Sequence, residues 1–214
     1  MIYFTSDLHL NHDKEFIYKN RGFNSIDEMN STIIKNWNDA VNDSDTIYIL
    51  GDVMLGSSNE SIKLFNELKG QKKIVLGNHD TSYRTELYSQ APNTEVLGYA
   101  SLIKIKKQLF YLSHYPTILG DAKHFRLGHS AVCLFGHIHE DIKFYNDCPH
   151  IYHVGLDAHN FTPVALPNIL KDIKSKLMWD SEYISVYTRC TLVKVRVVLM
   201  VIYNQLTSCT LEVK

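Results

Sequence analysis

The sequence predicts an α/β or α+β domain, and three observations lead there. Short β-prone runs alternate with amphipathic helical stretches through about residue 178. No long linker, internal repeat or low-complexity segment interrupts that alternation. A chain of 214 residues can also bury one substantial core without dividing.

Along the chain, Ile2 to Thr5 is a short β-prone run. After a loop, Ser25-Ile26-Asp27-Glu28 has capping-box spacing, and the helix it opens turns Met29, Ile33, Trp37 and Ala40 inward as core. Thr46 to Leu50 predicts a second strand. Ser57 to Glu60 repeats the capping-box spacing before a helix that stops near Gly70, and Lys73 to Leu76 supplies a third strand. Ile103 and Ile105, then Leu109 and Tyr111, flank Lys106-Lys107-Gln108 and predict a hairpin. Ala131 to Phe135 and Ile151 to Val154 are further short strands. Pro167 stands at a first helical position, ahead of Ile169, Leu170, Ile173 and Leu177 on one face. Residues 1–178 are therefore read as the domain. Residues 179–214 are read as a C-terminal extension, with one or two added strands over 191–203 on the same domain or at an interface such as a homodimer's.

Composition narrows the function. Lys plus Arg number 22 against 23 Asp plus Glu, so no global field recruits nucleic acid or an anionic membrane. The start, Met1-Ile2-Tyr3-Phe4-Thr5-Ser6-Asp7, lacks the basic and apolar regions of a signal peptide, and no apolar run reaches membrane-spanning length. Cys133, Cys148, Cys190 and Cys209 show no C-x-x-C spacing, and free thiols in the cytoplasm are expected. Histidine is abundant, at 11, and several histidines cluster with Gly, Asp or Asn.

Five such clusters each come directly after a predicted strand: Asp7-Leu8-His9, Gly51-Asp52, Gly77-Asn78-His79-Asp80, His114, and Gly136-His137-Ile138-His139. In layered α/β sheets, ligands collect at the carboxyl ends of strands, so residues distant in sequence can converge there. Carboxylate and amide oxygens mixed with imidazole nitrogens suit manganese, zinc, iron or nickel. Gly51, Gly77 and Gly136 are expected to permit the tight turns such a centre needs.

Singly, each motif is weak, since D-x-H and G-D both occur by chance. In this order and placement they resemble the calcineurin-like metallophosphoesterase family, whose pattern D-x-H, G-D, G-N-H-[DE], H, G-H-x-H is matched from Tyr3 to about Pro163. Ser6-Asp7-Leu8-His9-Leu10-Asn11-His12, His114-Tyr115-Pro116 and Val154-Gly155-Leu156-Asp157 resemble its small single-domain bacterial and phage members. The resemblance implies a four-layer αββα sandwich of two facing mixed sheets, with the metal site at the C-terminal ends of the strands. It implies two divalent ions, manganese first, with zinc, iron or nickel as alternatives. Asp7, His9 and His139 would bind one ion, Asn78, His114 and His137 the other, and Asp52 would bridge them. Such a pair would hydrolyse a phosphate mono- or diester by metal-activated water. His79 would be the catalytic histidine, oriented by Asp80.

Small size and the lack of a docking insertion favour a small phosphate ester or nucleotide-like diester as substrate, and the near-neutral charge argues against a processive nuclease. A non-catalytic scaffold on the same fold would be expected to have lost ligands, and a structural zinc site would leave the carboxylates unexplained. His12 could contact substrate or support a ligand, and the polarity of its loop would equally place it at the surface. Arg21 and Arg126 are candidate phosphate clamps, although solvated arginines are commoner. Tyr115 could stack on a base or pack in the core. His124, His129, His150, His153 and His159 fit no ligand position.

Overall fold

The computed structural model describes residues 1–117 and 126–178. Met1–Ile173 forms one compact unit; beyond Ile173 only 174–178, the end of a helix that begins at residue 166, is described. The strands expected over 191–203 lie outside the described residues.

The helices are α1 (Glu15–Tyr18), α2 (Ile26–Ala40), α3 (Ser58–Asn66) and α4 (Ser82–Gln90), with a further helix over 166–178. The strands are β1 (Ile2–Thr5), β2 (Thr46–Leu50), β3 (Gln71–Val75), β4 (Thr94–Gly98), β5 (Ala100–Ile105), β6 (Gln108–Ser113), β7 (Val132–Phe135), β8 (Ile151–His153) and β9 (Val164–Ala165). They form two mixed sheets, ordered β4-β3-β2-β1-β9 and β5-β6-β7-β8. β1 to β4 pair in parallel, which requires long crossovers, and α2, α3 and α4 supply them.

Pleating divides the first sheet between two cores. Ile47, Ile49 and Ile74 pack with Met29, Ile33 and Trp37 of α2, Phe65 of α3 and Tyr88 of α4. On the other face Phe4 stacks on Tyr48 with ring centroids 5.2 Å apart, and Phe110 of β6 lies 6.1 Å from Phe4, so the two sheets face one another. Cys133, Phe135 and Ile151 form a third apolar cluster, covered by Ile138, Tyr145 and Cys148. The C-terminal helix is tied to β8 where the Tyr152 hydroxyl donates to Asp172 at 2.7 Å. This is the arrangement of two facing mixed sheets that the resemblance implies.

The Ser25 cap forms: its side chain accepts from the Glu28 amide at 3.1 Å, while the Glu28 carboxylate accepts from the Asn24 amide at 2.8 Å. Ser57 is the residue before α3 but makes no side-chain cap bond, and the helix ends at Asn66, short of Gly70. Four elements were not expected from sequence. α1 is four residues long and buries none of them. α4 buries only Tyr88, β4 has no fully buried residue, and β9 is two residues long. None carries an apolar period strong enough to announce it.

The two caps give a differential expectation. Ser25→Ala should lower unfolding free energy by about 1 kcal/mol, whereas Ser57→Ala should cost clearly less, because no side-chain bond is lost. Urea unfolding of the two variants checks this, and equal losses would contradict it.

Candidate metal centre

The strand ends bring the clusters together. Asp7 and His9 come after β1, Asp52 after β2, Asn78 to Asp80 after β3, His114 after β6, and His137 and His139 after β7. Asp7, His9, Asp52, His137 and His139 have φ of 57°, 49°, 53°, 73° and 52°. That left-handed region costs an L-residue about 1–2 kcal/mol. Local bonds hold the turns: the Asp7 amide donates to Gly51 O at 3.0 Å and the His9 amide to Asp52 O at 3.1 Å. The His137 amide donates to Asp7 Oδ2 at 2.8 Å, which also accepts from the Ser6 hydroxyl at 2.6 Å. Glycine is needed for close approach here. A Cβ on Gly77 would overlap Asp52 Oδ1, and one on Gly136 would overlap Ser6 Oγ and Asp7 Oδ2.

Asp7 Oδ1 is buried and has no hydrogen-bond donor. His139 Nε2 and His9 Nε2 lie 3.6 and 3.9 Å from it and 3.0 Å from each other. A buried anionic oxygen facing two imidazole nitrogens is an arrangement that a cation completes. On the other side, His114 Nε2 lies 3.4 Å from Asp52 Oδ2, 2.9 Å from Asn78 Oδ1 and 3.2 Å from His137 Nδ1. Asp52 Oδ2 is also 3.8 Å from His9 Nε2, so this carboxylate touches both halves. Two overlapping donor groups, Asp7-His9-His139 and Asp7-Asp52-His114, each have donor atoms within 4.8 Å of one another. The residues present therefore fit divalent metal.

The protonation states point the same way. Burial, then the Arg21 charge and the neighbouring histidines, hold His9 well below the ordinary histidine range, which keeps it neutral as a ligand must be. Burial also lowers His114, but the Asp52 hydrogen bond and the Asp7 charge outweigh it and raise this group to about 8. Asp52 is held low in turn: burial raises it, and the His114 hydrogen bond more than offsets that.

Supporting residues fix the donors. The His114 ring donates from Nδ1 to Leu50 O at 2.8 Å, leaving Nε2 for the centre. His139 Nδ1 lies 3.2 Å from Asp157 Oδ2. Arg21 grips Asp157 with two bonds of 2.9 Å and donates to Asp7 O at 2.7 Å. Its side chain is only 3% exposed, so Arg21 is committed to this pair and is not presented to solvent as a phosphate clamp. Arg126 lies exposed, its amide donating to Ser130 Oγ. The Arg21–Asp157 tie was missed in the sequence; its partners stand 136 residues apart, and only the Val154-Gly155-Leu156-Asp157 motif hinted at it.

His79 stands at the mouth. Its side chain is 46% exposed, with Nε2 4.0 Å from Asp52 Oδ2, and its amide donates to Asp52 Oδ1 at 2.9 Å. Asp80 differs from the expectation that it orients the His79 ring. Its carboxylate accepts from the amides of Asp52 at 2.9 Å, Gly77 at 2.8 Å and Val53 at 3.3 Å, and from the Tyr88 hydroxyl at 2.8 Å. Those four donors make Asp80 the buried tie between the β2 and β3 turns. Tyr115 is half exposed, its ring 4.6 Å from that of His137. The His12 ring centroid lies 5.3 Å from that of His9. His150 and His153 are buried, and His129 is exposed. His124 lies outside the described residues.

Carboxylates and imidazoles gathered in one cleft at the carboxyl ends of two facing mixed sheets could hold metal. The chain belongs to the calcineurin-like phosphoesterase superfamily, whose domain model matches residues 1–154. An uncharacterised protein of Methanocaldococcus jannaschii is 33% identical over 183 residues, covering 81% of this chain and 91% of that protein. The Gene 66 protein of a Mycobacterium phage is 29% identical over 202 residues, covering 82% of this chain and 98% of its own. Among solved structures, a protein of unknown function from Aquifex aeolicus shares the fold with a TM-score of 0.59 at 23% identity, covering 80% of this chain and 98% of that one. Among the described residues, no helix is long and apolar enough to cross a membrane.

Arg21→Ala removes the guanidinium from the largely buried Asp157 carboxylate and leaves it only the His139 ring, so it should destabilise the fold by up to about 3–5 kcal/mol. Denaturant unfolding reads this. An intact fold with only a raised KM for phosphate esters would return Arg21 to the role of clamp.

Proposed function

We propose that the protein hydrolyses phosphate mono- or diesters with two divalent metal ions, preferring nucleotide-like phosphodiesters. The observation that carries this reading is Asp7 Oδ1, buried without a donor and facing His9 and His139, beside an Asp52 carboxylate that touches both halves of the cleft. Asp7, His9 and His139 would hold one ion, Asn78, His114 and His137 the other, and Asp52 both. When bound, such a pair supplies an activated water and neutralises charge on the phosphoryl group. The imidazole-rich donor set favours manganese over magnesium, with zinc, iron or nickel as alternatives.

His79 would touch the substrate. Its exposed ring near Asp52 suits it to protonate the leaving oxygen or to stabilise charge on the phosphoryl oxygens. Asp80 acts from behind by fixing the turn that carries Asn78 and His79. Tyr115, half exposed beside His137, offers a face for a base, which supports the nucleotide preference. Free Cys133 and Cys148 suit a reducing compartment such as the cytoplasm. Residues 179–214 are proposed as an extension of the domain or a homodimer contact.

Two experiments test this. Chelation should abolish hydrolysis of an aryl phosphodiester, and manganese should restore it before magnesium does; full activity in chelator would contradict the proposal. His79→Ala should keep its metal content yet lose about 100-fold or more in kcat. The loss should be greater for poor, basic leaving groups than for acidic aryl ones. Metal loss in this variant would make His79 a ligand, and unchanged rates on every ester would remove its role.

A further inference from the structure

We propose that His12 is a positioning residue for the metal ligand His9, and that the same contact leaves its Nε2–H as a donor to the phosphate group. This inference rests on the reading of the cleft as a metal centre.

In three of the ligand rings, those of His114, His139 and His9, one nitrogen is turned away from the centre and meets a partner that fixes the tautomer. His114 places that nitrogen 2.8 Å from the Leu50 carbonyl, and His139 places it 3.2 Å from the Asp157 carboxylate. Both are oxygen acceptors, the usual partners that fix a ligand's tautomer. His9 differs. Its Nδ1 lies 3.2 Å from the Nδ1 of a second imidazole, His12. The two ring planes are 25° from parallel, with centroids 5.3 Å apart.

Proton counting then sets both tautomers. His9 Nε2 faces Asp7 Oδ1, Asp52 Oδ2 and His139 Nε2, so it must offer its lone pair to a metal. A neutral imidazole carries one N–H, which for His9 is therefore on Nδ1. Two N–H groups cannot face each other across a hydrogen bond, so His12 Nδ1 accepts. The His12 proton is then on Nε2. Metal binding at His9 thus selects a His12 tautomer whose remaining polar group is a donor.

The surroundings keep the His12 ring near the reaction. The His12 amide donates to His9 O at 3.0 Å, so one tight turn sets both rings. Phe16 packs edge-on against His12 at 6.0 Å, and the His79 ring lies 6.4 Å away. A phosphate oxygen held beside His79 is an acceptor within the same mouth of the cleft.

Two variants and one spectrum test the inference on the full chain. His12→Phe keeps the ring and its packing but removes the acceptor for His9. It should weaken manganese binding by about 10- to 100-fold. His12→Asn places an amide oxygen near the position of Nδ1 but has no ring Nε2–H. It should bind manganese as the wild type does, yet at saturating manganese lose at least about tenfold in kcat for phosphate esters. Nitrogen NMR of the zinc-loaded wild type should show protons on His9 Nδ1 and His12 Nε2. Wild-type manganese affinity in His12→Phe, equal weakening in both variants, unchanged kcat in His12→Asn, or a proton on His12 Nδ1 would each overturn the inference. If the wild type cleaves no phosphate ester, the proposed function falls, while the titrations and the spectrum still decide how His12 supports His9.

Discussion

The constraint on which the site depends is backbone conformation. Asp7, His9, Asp52, His137 and His139 all sit at positive φ, where a Cβ crowds the next carbonyl. Such residues persist when their surroundings over-determine them, and they gather where function needs side chains aimed against the run of the chain. Here the turns are over-determined by one another. The Asp7 amide hangs on Gly51, the His9 amide on Asp52, and the His137 amide on the Asp7 carboxylate itself. A change in one turn is therefore felt by donors contributed from other strands.

A second set of ties lies beneath these turns. Asp80 gathers the amides of Asp52, Val53 and Gly77 around one carboxylate, and the buried Tyr88 hydroxyl completes it. Burial raises the Asp80 pKa, and the bonds from Gly77 and Tyr88 oppose that rise. Arg21 does the matching work on the opposite side, joining Asp157 and the Asp7 carbonyl. Burying that pair is costly in isolation, so it is better understood as fixing geometry than as adding stability. His9 is pushed toward neutrality partly by the same guanidinium.

Much of this was legible in the sequence, for a definite reason. β1 and β2 appear with their expected bounds because each is a compact apolar run, and α2 because Ser25, Glu28 and the stripe Met29, Ile33, Trp37 agree on one helix. The donor clusters could be placed at strand ends because Gly, Asp, Asn and His mark where β-propensity stops. What could not be read depends on side-chain direction or on distant pairing. Ser57 occupies a cap position without capping, since spacing does not fix where its hydroxyl turns; in α3 the Ser61 hydroxyl instead reaches the Ser57 carbonyl. The Asp80 carboxylate is taken up by the amides of Asp52, Val53 and Gly77 and by the Tyr88 hydroxyl, which spacing does not show. Arg21 gives no signal in its own neighbourhood that its partner is Asp157. α4 escaped notice because Tyr88 alone among its residues is buried.

Two ions held by the two halves of this cleft, joined by Asp52 and flanked by Asp7, would lie close enough to share a ligand. Electron paramagnetic resonance of the metal-stripped protein titrated with manganese tests this most directly. The expected signal saturates at two ions per chain and carries the multiline pattern of exchange coupling between neighbouring manganese ions. Saturation at one ion, or two ions with independent uncoupled spectra, would contradict it.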